Sequence, residues 1–317
     1  MKRPAGMRAS RTSPPSIRAD GTPLADPGAT RSGLLAILLW SSLALLTTLT
    51  GSLPPFLVLA VSFTGGALVG LLHALRRGRA GISEMRAPWP AWALATAGLF
   101  GYHALYFFSL KRAPPVEASL INYLWPLLIV LFSGFLPGVR LRTGHVAGAM
   151  LGLGAAALLV TGGRGLRIDP AAATGYAAAF AAALVWASYS VLNRRYARVP
   201  SSAIVPACIA VAILGALAHG LFEPRVEDIR ASQWLAMLAM GAGPIGAAFW
   251  LWDAGTKRGD IALLGGLSYL APLLSTLLLV LAGRAEPHWV QAVAIGLLLF
   301  GAWLSLRASR APQGIAS

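Results

Sequence analysis

Ten apolar runs of about 17 to 21 residues, separated by short polar links, constrain this chain more than any other feature. A helix rises 1.5 Å per residue, so each run is long enough to cross ~30 Å of hydrocarbon. Inside lipid a backbone must satisfy its own hydrogen bonds, which leaves only helices and closed barrels. No run shows the two-residue alternation of a membrane barrel strand. The spacing therefore predicts helices over 33–49, 56–75, 89–110, 116–134, 143–161, 173–192, 202–220, 233–253, 261–281 and 288–306. Several links open with Pro or Gly, as at Pro54-Pro55, Pro88, Pro114-Pro115, Pro137-Gly138 and Gly162-Gly163. The expected fold is an all-α integral membrane protein of ten transmembrane helices. A charged content of 12%, against roughly a quarter in soluble globules, points the same way.

A net charge of +15 would suit a nucleic-acid partner, but the basic residues stand in loops that flank apolar helices. Membrane topology accounts for that placement, and no nucleic acid is expected. With the N-terminus inside, the inner segments carry 19 Lys and Arg and the outer loops 7. The positive-inside bias then puts both termini in the cytoplasm. Residues 1–32 hold six basic residues against two acids, with several Pro and Ser, and read as a disordered basic cytoplasmic tail. Residues 307–317 read as a cytoplasmic C-terminal tail. Cys208 is the sole cysteine and lies in an apolar run, which excludes an intrachain disulfide and argues against a thiol metal site.

The chain also matches itself. Adding 146 to a position in the first half takes Trp40 to Trp186, Ser42 to Ser188 and His73 to His219. The same shift takes Lys111-Arg112 to Lys257-Arg258, and Tyr123-Leu-Trp-Pro-Leu-Leu128 to Tyr269-Leu-Ala-Pro-Leu-Leu274. Matched Leu and Ala mean little in apolar helices; matched Trp, Tyr, Pro and Lys-Arg at one offset mean a duplication. Each unit, 33–161 and 173–306, holds an odd number of spans, so the second enters the membrane inverted. Inverted five-helix repeats are a transporter architecture in which two halves rock about a site near the midplane.

Three prolines mark soft points within spans: Pro126, Pro272 and, in Gly241-Ala-Gly-Pro-Ile-Gly246, Pro244. Each frees a carbonyl and kinks its helix, which lipid tolerates only beside protein or a cavity. These are candidate helix-break or gating positions. Polar and aromatic residues cluster at similar depth: Tyr102, His103 and Tyr106; Asn122, Tyr123 and Trp125; Trp186, Tyr189 and Asn193; Trp40, Ser41 and Ser42; Ser268 and Tyr269. Lipid-facing Trp and Tyr gather at the interfaces, so rings at mid-span are expected to face a cavity or another helix. Such walls suit a planar, partly apolar substrate.

Ionisable residues within spans are few. Glu117, after Pro114-Pro115, either complements the helix dipole or serves as a charge partner for a substrate ammonium. Asp253 is expected to be a solvated helix end, and His73 and His219 structural residues near helix ends. Gly152-Leu-Gly154 imitates a dinucleotide fingerprint but sits inside a helix, where it reads with Gly148 and Gly66–Gly70 as close helix packing. No phosphate loop and no paired His/carboxylate metal motif is present, so neither cofactor nor metal is expected, and an enzyme is not. The residues alone leave the cargo open: sugars, nucleotide-sugars, planar cations or amino acids. They also leave room for a passive pore or a non-transporting membrane enzyme.

The ten spans, the twin halves and the paired prolines at Pro126 and Pro272 resemble the drug/metabolite transporter superfamily in its EamA-type branch. Glu117-Ala-Ser-Leu-Ile-Asn-Tyr-Leu-Trp-Pro126 and Leu184-Val-Trp-Ala-Ser-Tyr189, leading to Asn193 and Tyr196, resemble the YddG-type aromatic amino-acid exporters more narrowly. That resemblance covers roughly 33–306. It implies export of aromatic and other amino acids, or of planar cationic drugs, from a bacterial inner membrane. It also implies a central cavity walled by Tyr102, Tyr106, Asn122, Tyr123, Trp125 and Trp186. The second repeat reads Ser268-Tyr-Leu-Ala-Pro272, without the Asn and Trp, so an asymmetric cavity is expected; the Arg-rich tail departs from the family pattern.

Overall fold

The computed structural model describes residues 25–165 and 168–310. The tails expected over 1–32 and 307–317 lie largely outside the described residues. Within them, residues 27–32 and 307–310 are helix. The first span starts at Pro27, where the Asp26 carboxylate accepts from Gly28 N at 2.8 Å and Pro27 has no N–H to leave unpaired. Among the described residues there is no β-strand.

Among the described residues ten helical spans are long and apolar enough to cross a membrane: span 1 (Pro27–Thr50), span 2 (Pro55–Arg76), span 3 (Trp89–Arg112), span 4 (Pro115–Ser133), span 5 (Thr143–Thr161), span 6 (Pro170–Tyr196), span 7 (Ser201–Phe222), span 8 (Ala231–Arg258), span 9 (Ile261–Leu281) and span 10 (Trp289–Ser309). Spans 2, 3, 4 and 6 each carry proline at the first or second helical position, where its ring is already in helical geometry. Span 5 ends on Gly162 at φ 62°, a left-handed cap that suits glycine. Exposed tryptophans sit near span ends: Trp89 and Trp303 at the end of the bundle that holds both chain termini, Trp234 and Trp289 at the opposite end. That is the placement of membrane-interface rings.

Packing follows the duplication. Span 2 lies on span 7 and span 5 on span 10, each against its own repeat-mate. Span 1 lies on span 8 and span 3 on span 6, two contacts that a two-fold exchange of the halves turns into one another. Near that axis, Tyr269 Oη donates to the Tyr123 carbonyl at 2.9 Å, and these residues are themselves 146 apart. The helices break there in matching fashion. Span 4 is interrupted between Asn122 and Trp125, and span 9 between Leu267 and Leu270, with Pro126 and Pro272 opening the second segments. These are two inverted five-helix repeats.

The symmetry is not complete. Span 8 widens to a π-helix over Gly241–Ala247 around Pro244, while span 3, its mate, is regular. Small residues make the widened turn possible. A Cβ on Gly66 of span 2 would come within 2.8 Å of Gly246 Cα, so the backbones meet without side chains between them. Span 1 breaks at Ser41-Ser42, whose hydroxyls donate to the Leu38 and Leu39 carbonyls at 2.5 and 2.7 Å. Hydroxyls that bond back to the preceding turn loosen a helix.

Candidate functional site

Spans 1 and 4, both broken, and spans 6 and 8 bring aromatic side chains together at mid-depth. Trp40 has ring-centroid distances of 6.3 Å to Trp125, 5.7 Å to Trp186, 6.0 Å to Phe249 and 5.0 Å to Trp252. Spans 1, 4, 6 and 8 thus contribute to one cluster, mostly through edge-to-face contacts of the kind ring quadrupoles favour. Trp252 Nε1 donates to Ser190 Oγ at 3.1 Å, which satisfies an indole with no exposed surface. Trp186 sits at the centre and also touches Tyr102 and Tyr189.

A polar row continues from this cluster along spans 3 and 4. Tyr102 and Tyr106 stack 6.1 Å apart, as their four-residue spacing on one helix face requires. Asn122 Nδ2 donates to Tyr102 Oη at 3.1 Å, and Tyr106 Oη shares a 3.0 Å hydrogen bond with Ser119 Oγ. Asn122 is buried, and its Oδ1 accepts no hydrogen bond from the protein. His103 Nδ1 is 2.7 Å from the Leu99 carbonyl, and the imidazole packs edge-on to Phe63. Tyr102, His103, Tyr106 and Tyr123 remain half-buried, whereas Trp125, Trp186 and Tyr189 are buried. The row therefore combines ring faces with phenol and amide groups, fit for an uncharged or zwitterionic guest with an aromatic portion.

Two families of expected site residues separate here. Tyr102, His103, Tyr106, Asn122, Trp125, Trp186 and Tyr189 share contacts. Ser268 and Tyr269 do not join them: Ser268 Oγ donates to the Leu264 carbonyl, and the Tyr269 ring lies against Gly152 in the cluster between spans 5, 9 and 10. Tyr123 packs against that same second cluster, and its carbonyl accepts from Tyr269 Oη. Glu117 stands in the first turn of span 4, five residues before Asn122 and so about 7.5 Å from it along the axis. Two surface pockets are elsewhere. One of about 90 Å³, lined by Arg140, Arg142, His145, Arg194 and Asp260, opens at the termini end; one of about 370 Å³, with Arg164, Thr276 and His288, opens at the other.

The EamA-like transporter family model matches residues 32–161 and 173–307, well over half of the chain. The chain belongs to the EamA-like transporter family. Similar proteins include the aromatic amino acid exporters YddG of several bacteria. The one from Ancylobacter novellus is 55% identical over 275 residues, covering 86% of this chain and 95% of the relative. The one from Escherichia coli K12 is 28% identical over 296 residues, covering 88% and 98%. A solved crystal structure is 53% identical, with a TM-score of 0.85 over 89% of this chain and 97% of that one.

As an EamA-like transporter the chain is a multi-pass membrane protein that handles a small molecule, and its least expected feature is charge. Asp253 is not a solvated end. Span 8 runs on to Arg258, so Asp253 lies more than a turn inside it, buried, with Lys257 Nζ 2.8 Å from its Oδ2. Asn193 Nδ2 donates to Asp253 Oδ1 at 2.9 Å. Phe249 and Trp252 were also missed as cluster members, although the 146 offset pairs them with His103 and Tyr106. His219 does act near a helix end: its Nδ1 is 3.0 Å from Glu223, whose carboxylate accepts from Phe56 N and Leu57 N at the start of span 2.

Proposed function

We propose that this EamA-like transporter exports aromatic amino acids, and some others, from the cytoplasm by alternating access, using the wall formed by Tyr102, Tyr106, Asn122, Trp125 and Trp186. The observation that carries the reading is that wall itself: stacked rings beside a buried amide and two phenols, with no ionised side chain among them. Aromatic cargo would stack on the rings, and its ammonium and carboxylate would meet the amide and phenol groups. The relatives named as aromatic amino acid exporters support the cargo class. Their bacterial sources support placement in an inner membrane, and the Lys/Arg bias supports cytoplasmic termini. Glu117, at the entry turn of span 4, is proposed as a partner for the substrate ammonium. The repeats, 33–161 and 173–306, would exchange conformations as the site changes face, with the breaks at Pro126, Pro272 and Pro244 absorbing the motion.

Reconstituted protein should release preloaded labelled phenylalanine or tryptophan from liposomes in a saturable manner. Release no faster than from empty vesicles would sink the proposal. Trp125→Ala and Tyr102→Ala should each lower flux at least tenfold while the protein stays folded. Normal flux in both variants would move the site elsewhere even if export stands.

A further inference from the structure

Four buried polar groups at the termini end of the bundle form one connected set. Asp253 and Lys257 are a turn apart on span 8 and make an ion pair of 2.8 Å. Asn193, at the end of span 6, reaches across to donate to Asp253 Oδ1 at 2.9 Å and to Thr256 Oγ1 at 3.1 Å. Lys257 Nζ donates to the carbonyl of Val199 at 3.1 Å, in the link from span 6 to span 7. Asp253, Lys257, Asn193 and Thr256 are each no more than 5% exposed. The pair lies within one helix, so it does not itself join elements. Its work is to hold a carboxylate and an ammonium ready for the two bonds that do, Asn193 to Asp253 and Lys257 to Val199.

The repeat makes this arrangement informative. Subtracting 146 takes Lys257 to Lys111, at the opposite end of the bundle, so the lysine is kept. Its partners are not. Asp253 maps to Phe107, Asn193 to Thr47 and Val199 to Leu53. Phe107 packs edge-on against Phe56 at 5.5 Å, and Lys111 is exposed. The buried ion pair is thus particular to one end of the bundle; the other is held by ring contacts and by bonds to helix ends, Glu223 accepting from Phe56 N and Leu57 N and Gln233 donating to the Thr50 carbonyl. An ionisable pair inside a span is costly to maintain, which argues for a task.

We propose that Asp253, Lys257 and Asn193 form a one-sided lock that keeps the cytoplasmic end of spans 6, 7 and 8 shut, so that this end opens only when Asn193 and the Val199 carbonyl leave the pair. These are positioning residues, not substrate contacts. The inference rests on the alternating-access reading but not on the cargo.

The chain carries its own reporter. Cys208, the single cysteine, is buried in span 7 within the same cluster as Trp252 and Tyr189. In inside-out vesicles its alkylation by a maleimide should be slow in the parent chain, and at least tenfold faster in Asn193→Ala and Asp253→Asn. A second reporter watches the other side: Ser119→Cys in a Cys208→Ala background, labelled in right-side-out vesicles. Its labelling should slow when Asn193→Ala or Asp253→Asn is added, because opening one face closes the other. A variant that merely loosened the bundle would raise both rates. Any result other than opposite movement of the two reporters overturns the lock. Reciprocal labelling in a protein that moves no phenylalanine or tryptophan would leave the lock standing and defeat the export reading instead.

Discussion

Tyr102→Phe deletes one oxygen and leaves the ring contacts with Tyr106 and Trp186 in place. What it takes away is the acceptor that Asn122 Nδ2 reaches at 3.1 Å. Asn122 is 4% exposed and its Oδ1 already lacks a protein partner, so the substitution strands both ends of a buried amide. A buried polar group left unmatched costs about 1–3 kcal/mol, and Tyr102→Phe should destabilise the protein by about that much. Asn122→Leu removes the amide and takes only one donor from the phenol oxygen. The double variant has nothing left to satisfy, so it should be more stable than the sum of the singles predicts, by about 1 kcal/mol or more. Denaturant unfolding in mixed micelles, followed by circular dichroism on all four proteins, closes the cycle. Costs that add to within about 0.5 kcal/mol would show that the two side chains are not an energetic unit. The same four proteins in the efflux assay separate stability from recognition. If the amide meets the cargo, Asn122→Leu should lose flux beyond what its stability explains.

Two further outcomes follow from contacts outside that wall. Glu223→Ala removes a buried carboxylate that accepts from the first N–H groups of span 2 and lies beside His219, and should cost about 2–4 kcal/mol in unfolding measurements; Glu223→Gln, which keeps an acceptor, should cost less, and equal losses would contradict a cap built on the hydrogen bonds. Gly98→Val places a Cβ 2.5 Å from Tyr189 Cγ, so spans 3 and 6 should separate or strain by at least about 1–3 kcal/mol, seen as lower yield and a lower melting temperature. An unaffected Gly98→Val protein would mean that this helix pair is more compliant than its spacing implies.

The ten crossings were legible because hydrocarbon thickness fixes helix length, and because the offset of 146 carried residues that chance does not repeat in Leu- and Ala-rich helices. The breaks in spans 4 and 9 were legible from Pro126 and Pro272 for a local reason: a proline disturbs the turn before it. The break at Ser41-Ser42 was not, since a serine pair bonds back to its helix in some contexts and faces a neighbour in others. Asp253 was misread through a boundary. Ending span 8 at 253 makes that carboxylate a rim residue; carrying it to Arg258 puts it inside, where it needs Lys257. Phe249 and Trp252 stayed hidden because phenylalanine and tryptophan in an apolar span carry no mark of their direction. Only the repeat, used as a map from His103 and Tyr106, points to them. Ser268 and Tyr269 show the limit of that map, since matched positions in inverted halves share a fold but not a neighbourhood.

The Asp253–Lys257 pair also has an electrical consequence. One unit charge carried across a membrane gains or loses about 2.3 kcal/mol per 100 mV. The pair sums to zero and rides on one helix, four residues apart, so its displacement moves almost no net charge through the field. The ring cluster and the Tyr102–Asn122 row add none. The pair and the ring cluster therefore give a cell's membrane potential little purchase, and among the proposed site residues Glu117 is the one that offers it a net charge.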